Sequence, residues 1–310
     1  MHKYDLAVVG GGPAGITAAV QACRSDLKVA LFEADKLGGL LHNANLVENY
    51  PSGRNKISGI ELVEVFKNHL ENFPVELVFD EITAVELGGD NQFELKGRAD
   101  NYTAKAVIVA AGTVPNKLKI PGMESVRPER IHYEVKSLQP IPEGKSYVII
   151  GGGDAAFDYA LQLARYKGQI TILVRADFAS CLPLLERRVR EKNDCITLQY
   201  QAEVVRVEED EASGKMAVYF KSAGSEQEVL EVDFLLIAVG RKQNSSLIET
   251  LSHKGTHSIR TELNGKTNIP GLYLAGDIMR GSYRQVGIAV GDGLRAAMMA
   301  AEYLRGVENK

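Results

Sequence analysis

Six residues near the amino terminus, Gly10-Gly11-Gly12-Pro13-Ala14-Gly15, satisfy the pattern G-x-G-x-x-G. The spacing has a physical cause: Gly10 permits a tight turn, Gly12 lets a pyrophosphate approach backbone N–H groups, and Gly15 lets a helix pack on the preceding strand. An anion is favoured at such a helix start by the unsatisfied N–H groups and the helix dipole. Glu33 ends the next strand, eighteen residues after Gly15. A carboxylate there accepts hydrogen bonds from ribose hydroxyls and repels a 2'-phosphate. Glycine patterns of this kind also occur in plain loops, but a place between a strand and a helix, with an acid following, favours a dinucleotide site.

A second unit, Gly151-Gly152-Gly153-Asp154-Ala155-Ala156, replaces the third glycine with alanine, which the pattern tolerates. Its second strand ends at Arg175 rather than at an acid. A guanidinium there can hold a 2'-phosphate and so points to NADPH, the alternative being a solvated surface arginine.

The elements around these motifs repeat in order. Each glycine turn follows a short apolar strand and opens a helix. Each is followed by a second strand (KVALFE to Glu33, QITILVR to Arg175), then a hairpin signal (ITAVELGGDNQFEL, VVRVEEDEASGKMAVYF), then a buried strand closing in a small-residue turn (VIVAAG to Gly112, LLIAVG to Gly240). Two matches in the same order indicate a duplicated architecture. The chain therefore reads as α/β, with two Rossmann-like, three-layer dinucleotide-binding domains, each carrying an antiparallel meander over a parallel sheet. Polar, Pro/Gly-punctuated crossings near residues 115 and 245 mark the boundaries. A further buried strand in NIPGLYLAGD and an amphipathic helix from about Arg284 to Arg305 have no partner half of their own, so they are expected to complete the first domain. That gives residues 1–115 plus 246–310 as a discontinuous domain and 116–245 as an insertion in it.

At 310 residues the chain is long enough for two domains, each with its own core. A net charge of -4 provides no basic footprint for nucleic acid. No signal-peptide pattern or membrane-spanning apolar run is present, so a cytoplasmic protein without membrane contact is expected. Cys23, Cys181 and Cys195 form neither a CxxC pair nor a zinc spacing, which reads as three reduced thiols, with Cys23 packed on a helix, and no metal site. Arg187, Arg188, Arg190 and Lys192, interleaved with Glu186 and Glu191, read as a solvated helix face.

The order GGGPAG, Glu33, Gly38-Gly39, VENYP (Val47–Pro51), GGGDAA, AGD (Ala275–Asp277) and YRQ (Tyr283–Gln285) resembles the low-molecular-weight thioredoxin reductases and the ferredoxin/flavodoxin-NAD(P)H reductases built on the same fold. The resemblance spans essentially the whole chain. It implies an FAD domain with an inserted NAD(P)H domain, and a homodimer. On the FAD side it implies contacts from Gly10, Gly12, Pro13, Ala14, Gly15, Glu33, Gly39, Leu40, Ile82, Ala111 and Gly112. Asn49 is implied near the isoalloxazine, Gly276 and Asp277 at the ribityl and pyrophosphate region, and Arg284, Gln285 and Val286 at the start of the last helix, facing the pyrimidine ring. On the NAD(P)H side it implies Gly151, Gly153, Asp154, Ala155, Ala156, Arg175, Val239 and Gly240.

Two departures redirect the expectation. Where the thioredoxin reductases carry a redox CxxC ahead of the second glycine motif, this chain has Glu134-Val135-Lys136-Ser137, and IHYEVKSL is similar to the ferredoxin reductase branch. The segment VRADFAS keeps only Arg175 of the usual HRRxxFR element, so NADH stands beside NADPH. The ferredoxin branch's C-terminal extension over the flavin has no counterpart after Lys310; His132 or Tyr133 is a candidate to lie against the ring in place of the cysteine pair, or simply a packed aromatic. The favoured reading is an FAD-dependent NAD(P)H oxidoreductase without an internal dithiol, handing electrons to an external acceptor such as a small redox protein. The cofactors carry the chemistry, so no side chain is assigned a catalytic role. The alternatives are a thioredoxin reductase-like disulfide reductase and a flavoprotein sensor or complex subunit with little turnover.

Overall fold

The structure is a computed structural model that describes residues 2–51, 56–89, 92–210, 214–224, 226–248 and 259–308. By its contacts the chain divides into two compact units, one made of residues 1–42, 47–114 and 243–310, the other of 43–46 and 115–242.

In the first unit β1 (His2–Val9) runs into α1 (Pro13–Cys23), then β2 (Val29–Glu33), α2 (Gly59–Leu70), β3 (Glu76–Phe79), β4 (Ile82–Leu87), β5 (Phe93–Gly97) and β6 (Asn101–Val109). The sheet order is β3-β2-β1-β6-β5-β4. The parallel strands are apolar on both faces: Leu6, Ala7, Val8, Ala30, Leu31 and Phe32 are fully buried, as a sheet covered on both sides requires. β6 explains how the meander joins this sheet. Phe93 pairs antiparallel with Ala104 in its first half, while Leu272 pairs parallel with Val107 in its second half. The meander is thus hydrogen-bonded in series with the parallel strands, and it folds back so that Val85, Phe93 and Leu95 pack with Ala7, Val9 and Phe32.

In the second unit, after the short strands β7 (Thr113–Pro115) and β8 (Ile131–His132), come β9 (Ser146–Ile150), α3 (Asp154–Ala164), β10 (Gln169–Val174), α4 (Pro183–Arg190), β11 (Ile196–Tyr200), β12 (Glu203–Asp210), β13 (Lys215–Lys221), β14 (Gln227–Val232) and β15 (Phe234–Ile237). The parallel order is β11-β10-β9-β15-β8, and β12-β13-β14 forms a separate antiparallel sheet. Val207, Met216, Val218 and Phe220 press that sheet onto Val148, Leu173 and Leu235 of the parallel one. The meander therefore lies over the parallel sheet in both units, detached here and continuous in the first.

The chain then runs through β16 (Arg241–Gln243) and β17 (Leu272–Leu274) to the final helix α5 (Val286–Glu308). That helix starts two residues later than its expected Arg284 and runs past Arg305, because the Gln285 carbonyl accepts the Ala289 N–H that closes the first turn. Likewise α4 ends at Arg190, so Glu191 and Lys192 lie beyond the helix face read from the charge run. Helix α5 packs against α1 at Gly293, where any Cβ would run into the Ala14 carbonyl oxygen.

Candidate functional site

The helix starts are satisfied in different ways, and α4, like α1 and α3, has no side-chain cap. Helix α2 has a complete capping box: the Ser58 hydroxyl accepts from the Glu61 N–H (3.2 Å), and the Glu61 carboxylate accepts from the Ser58 N–H (2.9 Å). Helices α1 and α3 follow glycine turns, with Gly12 and Gly153 at their N-caps, and have no side-chain cap. Their free first-turn N–H groups, Pro13 of α1 having none, are the donors that an anion would satisfy.

The first turn is built by close approach. Gly10 has φ +108°, and a Cβ on it would stand 2.5 Å from the Ala110 carbonyl oxygen; a Cβ on Gly15 would overlap the Gly10 carbonyl. Gly12 and Gly112, by contrast, face open space within 4 Å of where a Cβ would be, and the Cα of Gly12 would be 3.3 Å from a Cβ on Gly39. An uncapped helix start, open space beside Gly12 and a positive-φ glycine next to it fit the pyrophosphate of FAD. Glu33 ends β2, as the sequence indicates, and its Oε2 accepts from the Gly11 N–H (2.7 Å) while Oε1 accepts from the Asp35 N–H (3.0 Å). The carboxylate is held in place by two backbone donors, with lone pairs to spare for ribose hydroxyls.

Across the same unit Asn49 donates its Nδ2–H to the Oε1 of Gln285 at 2.9 Å, joining residues 236 positions apart in sequence. Gly276 (φ +76°) abuts Ala14, with a would-be Cβ at 2.8 Å from the Ala14 Cβ, so the Gly276–Asp277 turn meets the start of α1. Arg280 lies between Asp277 and Arg284, and its guanidinium grips Asp292 of α5 through Nε (2.9 Å) and a terminal nitrogen (2.5 Å). The Arg280 carbonyl in turn accepts from Arg284 Nε at 3.4 Å. Val286 is the first residue of α5. Leu40 lies half-buried in the turn Gly39–Asn43, and Ile82 is buried at the start of β4, in the core with Val85.

In the second unit Gly151 (φ +147°) sits against the Ala238 carbonyl as Gly10 sits against Ala110, and a Cβ on Gly151 would lie 3.4 Å from that of Ala156, where Gly15 stands in the first. The Asp154 carboxylate accepts the Leu182 N–H (2.7 Å), and Ala155 is exposed beside it. Arg175 follows the last residue of β10 and is exposed. Val239 and Gly240 lie past the end of β15, as Ala111 and Gly112 do past β6.

Two residues at these strand ends escaped the motif reading. Asn244 donates its backbone N–H to the Gly112 carbonyl (3.1 Å) and its side chain reaches the Ala111 carbonyl (3.5 Å). Asn116 donates to the Gly240 carbonyl (3.0 Å) and to that of Val239 (3.3 Å). The signal was present: AGTVPN and VGRKQN each place an asparagine four residues after the closing glycine.

At Glu134–Ser137 the structure holds charge. The Arg241 guanidinium donates to Glu134 Oε1 at 2.5 Å, and Lys136 Nζ lies 3.3 Å from Oε2. Burial pushes the Glu134 carboxyl up, but the two cations outweigh it and hold it below the ordinary carboxylate range. His132 Nδ1 lies 2.7 Å from Ser137 Oγ and Nε2 2.9 Å from the Glu129 carbonyl, and burial lowers its pKa. Tyr133 carries the Lys117 ammonium 4.0 Å over its ring. All three cysteines are free, Cys23 being buried in α1. Burial pushes each thiol up, Cys181 to about 11, so none is a ready thiolate. Among the described residues no His/Cys/Asp/Glu cluster suited to a metal occurs, and no helix is long and apolar enough to cross a membrane.

Two glycine-turn helix starts without side-chain caps, each on a Rossmann-like parallel sheet, are the arrangement that binds dinucleotides. Residues 4–293 match the pyridine nucleotide-disulphide oxidoreductase family, and the chain belongs to it. It is 30% identical to the thioredoxin reductase of Treponema pallidum (strain Nichols), covering 99% of each chain. It is equally 30% identical to the 34.2 kDa protein in the rubredoxin operon of Clostridium pasteurianum, covering 98% of each. The solved thioredoxin reductase of Lactococcus lactis superposes with a TM-score of 0.87 at 30% identity, over 98% of this chain and 99% of that one. The chain is a pyridine-nucleotide-linked flavin oxidoreductase with FAD and a nicotinamide dinucleotide as its cofactors.

Proposed function

We propose that this oxidoreductase carries electrons from NAD(P)H by way of FAD to an acceptor outside its own chain, with no disulfide of its own in the path, as in the ferredoxin/flavodoxin reductase branch. The observation that supports this most is the Glu134–Arg241–Lys136 cluster at the position where a redox dithiol would lie, together with three cysteines whose thiols burial pushes up.

Bound FAD would supply the two-electron chemistry, taking hydride from the nicotinamide. The protein's part is placement. The open start of α1 with Gly12, Gly39 and Gly112 would hold the flavin nucleotide's pyrophosphate, with Gly276 and Asp277 beside it, and Glu33 its ribose. Asn49 and Gln285 would flank the ring system, and the N-terminus of α5 at Val286, beside Arg284, favours negative charge there. The start of α3, with Gly153 to Ala156, and Arg175, Val239 and Gly240 would hold the nicotinamide dinucleotide, within a domain of about residues 116–245 inserted between 1–115 and 246–310. A relative named for a rubredoxin operon favours a small redox protein as acceptor, and the resemblance to the reductase families implies a homodimer.

Anaerobic titration at 450 nm with NADH and, separately, NADPH, followed by ferredoxin, flavodoxin, quinone and disulfide acceptors, tests this. Bleaching by a nicotinamide and rapid reoxidation by a carrier are expected. No bleaching by either would point to a sensor instead. The second reading, a disulfide reductase using another thiol route, is favoured by the relatives' names. It predicts reoxidation by a protein disulfide that is lost when Cys23, Cys181 and Cys195 are all replaced by serine.

A further inference from the structure

We propose that Phe178 is the platform on which the adenine ring of the nicotinamide dinucleotide stacks in the second unit; this rests on the reading of that unit as the NAD(P)H site. Phe178 is 66% exposed, in a loop whose next residue, Ala179, packs into the core of the unit together with Cys181. Exposure here does not come from a loose loop. At its start the Ala176 carbonyl accepts the Gln201 N–H (2.9 Å). At its end the Ser180 N–H (2.8 Å) and hydroxyl (3.2 Å) both donate to the Gly152 carbonyl. Two residues on, Leu182 donates to the Asp154 carboxylate at 2.7 Å.

The straps run to the glycine turn itself. A Cβ on Gly152 would lie 3.9 Å from the Ala179 Cα, and one on Gly153 the same distance from Ser180 Oγ. Phe178 therefore stands one residue from the wall of the phosphate cradle. In a dinucleotide fold the pyrophosphate lies at the helix start and the adenosine ribose at the end of the second strand. Here those points are α3 and Arg175. Continuing from phosphate through ribose, the base reaches the turn Arg175–Phe178. Arg175 is exposed and makes no ion pair among the described residues, which leaves its guanidinium for the ribose. An exposed aromatic ring on a strapped backbone is a stacking surface for any purine.

The chain contains no tryptophan, so Phe178→Trp places a single indole at the site. The holoenzyme carrying it is titrated with ADP-ribose, which binds as the adenosine half but cannot reduce flavin, and with nicotinamide mononucleotide as the other half. Saturable quenching by ADP-ribose and none by nicotinamide mononucleotide is expected. Calorimetry should show Phe178→Ala raising the ADP-ribose Kd about tenfold or more, with Phe178→Tyr restoring it and the flavin content of every variant unchanged. If wild-type protein binds ADP-ribose but the alanine variant's Kd stays within twofold, or the indole emission is unmoved at saturation, Phe178 is not the platform. If wild-type protein binds no ADP-ribose at all, the second unit is not the nicotinamide site and both readings fall.

Discussion

Replacing Arg280 with alanine removes the closest partner, among the described residues, of a carboxylate that is 3% exposed. Asp292 keeps only Arg295, at 3.9 Å, in place of a guanidinium bonded to both its oxygens. Breaking a buried ion pair from one side costs about 3–5 kcal/mol, because the remaining charge is left without compensation. The Arg280 side chain is itself 21% exposed, which places the expected cost at the lower end, about 3 kcal/mol. At about 2–4 °C per kcal/mol this lowers the melting temperature of the first unit by about 6–12 °C. The loop it tethers runs from Asp277 to Arg284, so flavin should be lost on gel filtration before the protein unfolds. The double variant Arg280→Met with Asp292→Leu should recover most of the melting temperature, since neither charge is left buried. Calorimetry and the ratio of 450 to 280 nm absorbance read both effects. A single-variant melting temperature within 2 °C of wild type, with full flavin content, would refute the reasoning.

Gly15→Ala should abolish flavin retention, because its Cβ overlaps the Gly10 carbonyl, whereas Ala156→Gly in the second unit should leave nucleotide binding within about twofold; absorbance and calorimetry check both. Asn49→Ala should leave the melting temperature within about 2 °C, since the bond to Gln285 is exposed, yet shift the flavin's visible spectrum and slow its reduction in stopped flow. Burial moves the Asp158 carboxyl from 3.8 up to about 6, although the Asn45 N–H donates to it at 2.8 Å. The folded protein then binds the proton more tightly than the unfolded chain, so this stabilisation is complete below pH 3.8 and is lost as pH rises through 6. Asp158→Asn should remove that slope and raise stability at pH 7 by up to about 3 kcal/mol, read by urea unfolding across pH 4 to 8; an unchanged slope would show that Asp158 titrates normally.

The parts of the site visible in the sequence are those set by local geometry. Gly10, Gly12 and Gly15 are dictated by one turn, and Glu33 by the length of one helix and strand, so spacing alone reveals them. The pairing of Asn49 with Gln285, or of Arg280 with Asp292, depends on which strand end meets which helix start, and no periodicity encodes that. The sheet order was legible as parallel, but the splitting of β6 between β5 and β17 was not, because each half of that strand reads equally well as buried. Asn116 and Asn244 lie between these cases: their spacing repeats, yet a polar residue after a strand looks like any turn until its donors are seen to reach carbonyls more than a hundred residues away.

Those two asparagines also set how the molecule can be cut. Each strand end beside a nucleotide site is braced by a residue that arrives on the opposite crossing of the chain, Asn116 for Val239 and Gly240, Asn244 for Ala111 and Gly112. A fragment of residues 115–242 carries its own brace but lacks residues 43–46, whose Asn45 N–H donates to Asp158 and whose Asn43 Oδ1 accepts the Lys136 N–H; residues 1–114 alone have no brace and acquire theirs only when the tail from 243 is supplied. A cassette cut from the second unit would therefore need residues 43–46 as well as 115–242, and the first unit is complete only after the ribosome has passed residue 242.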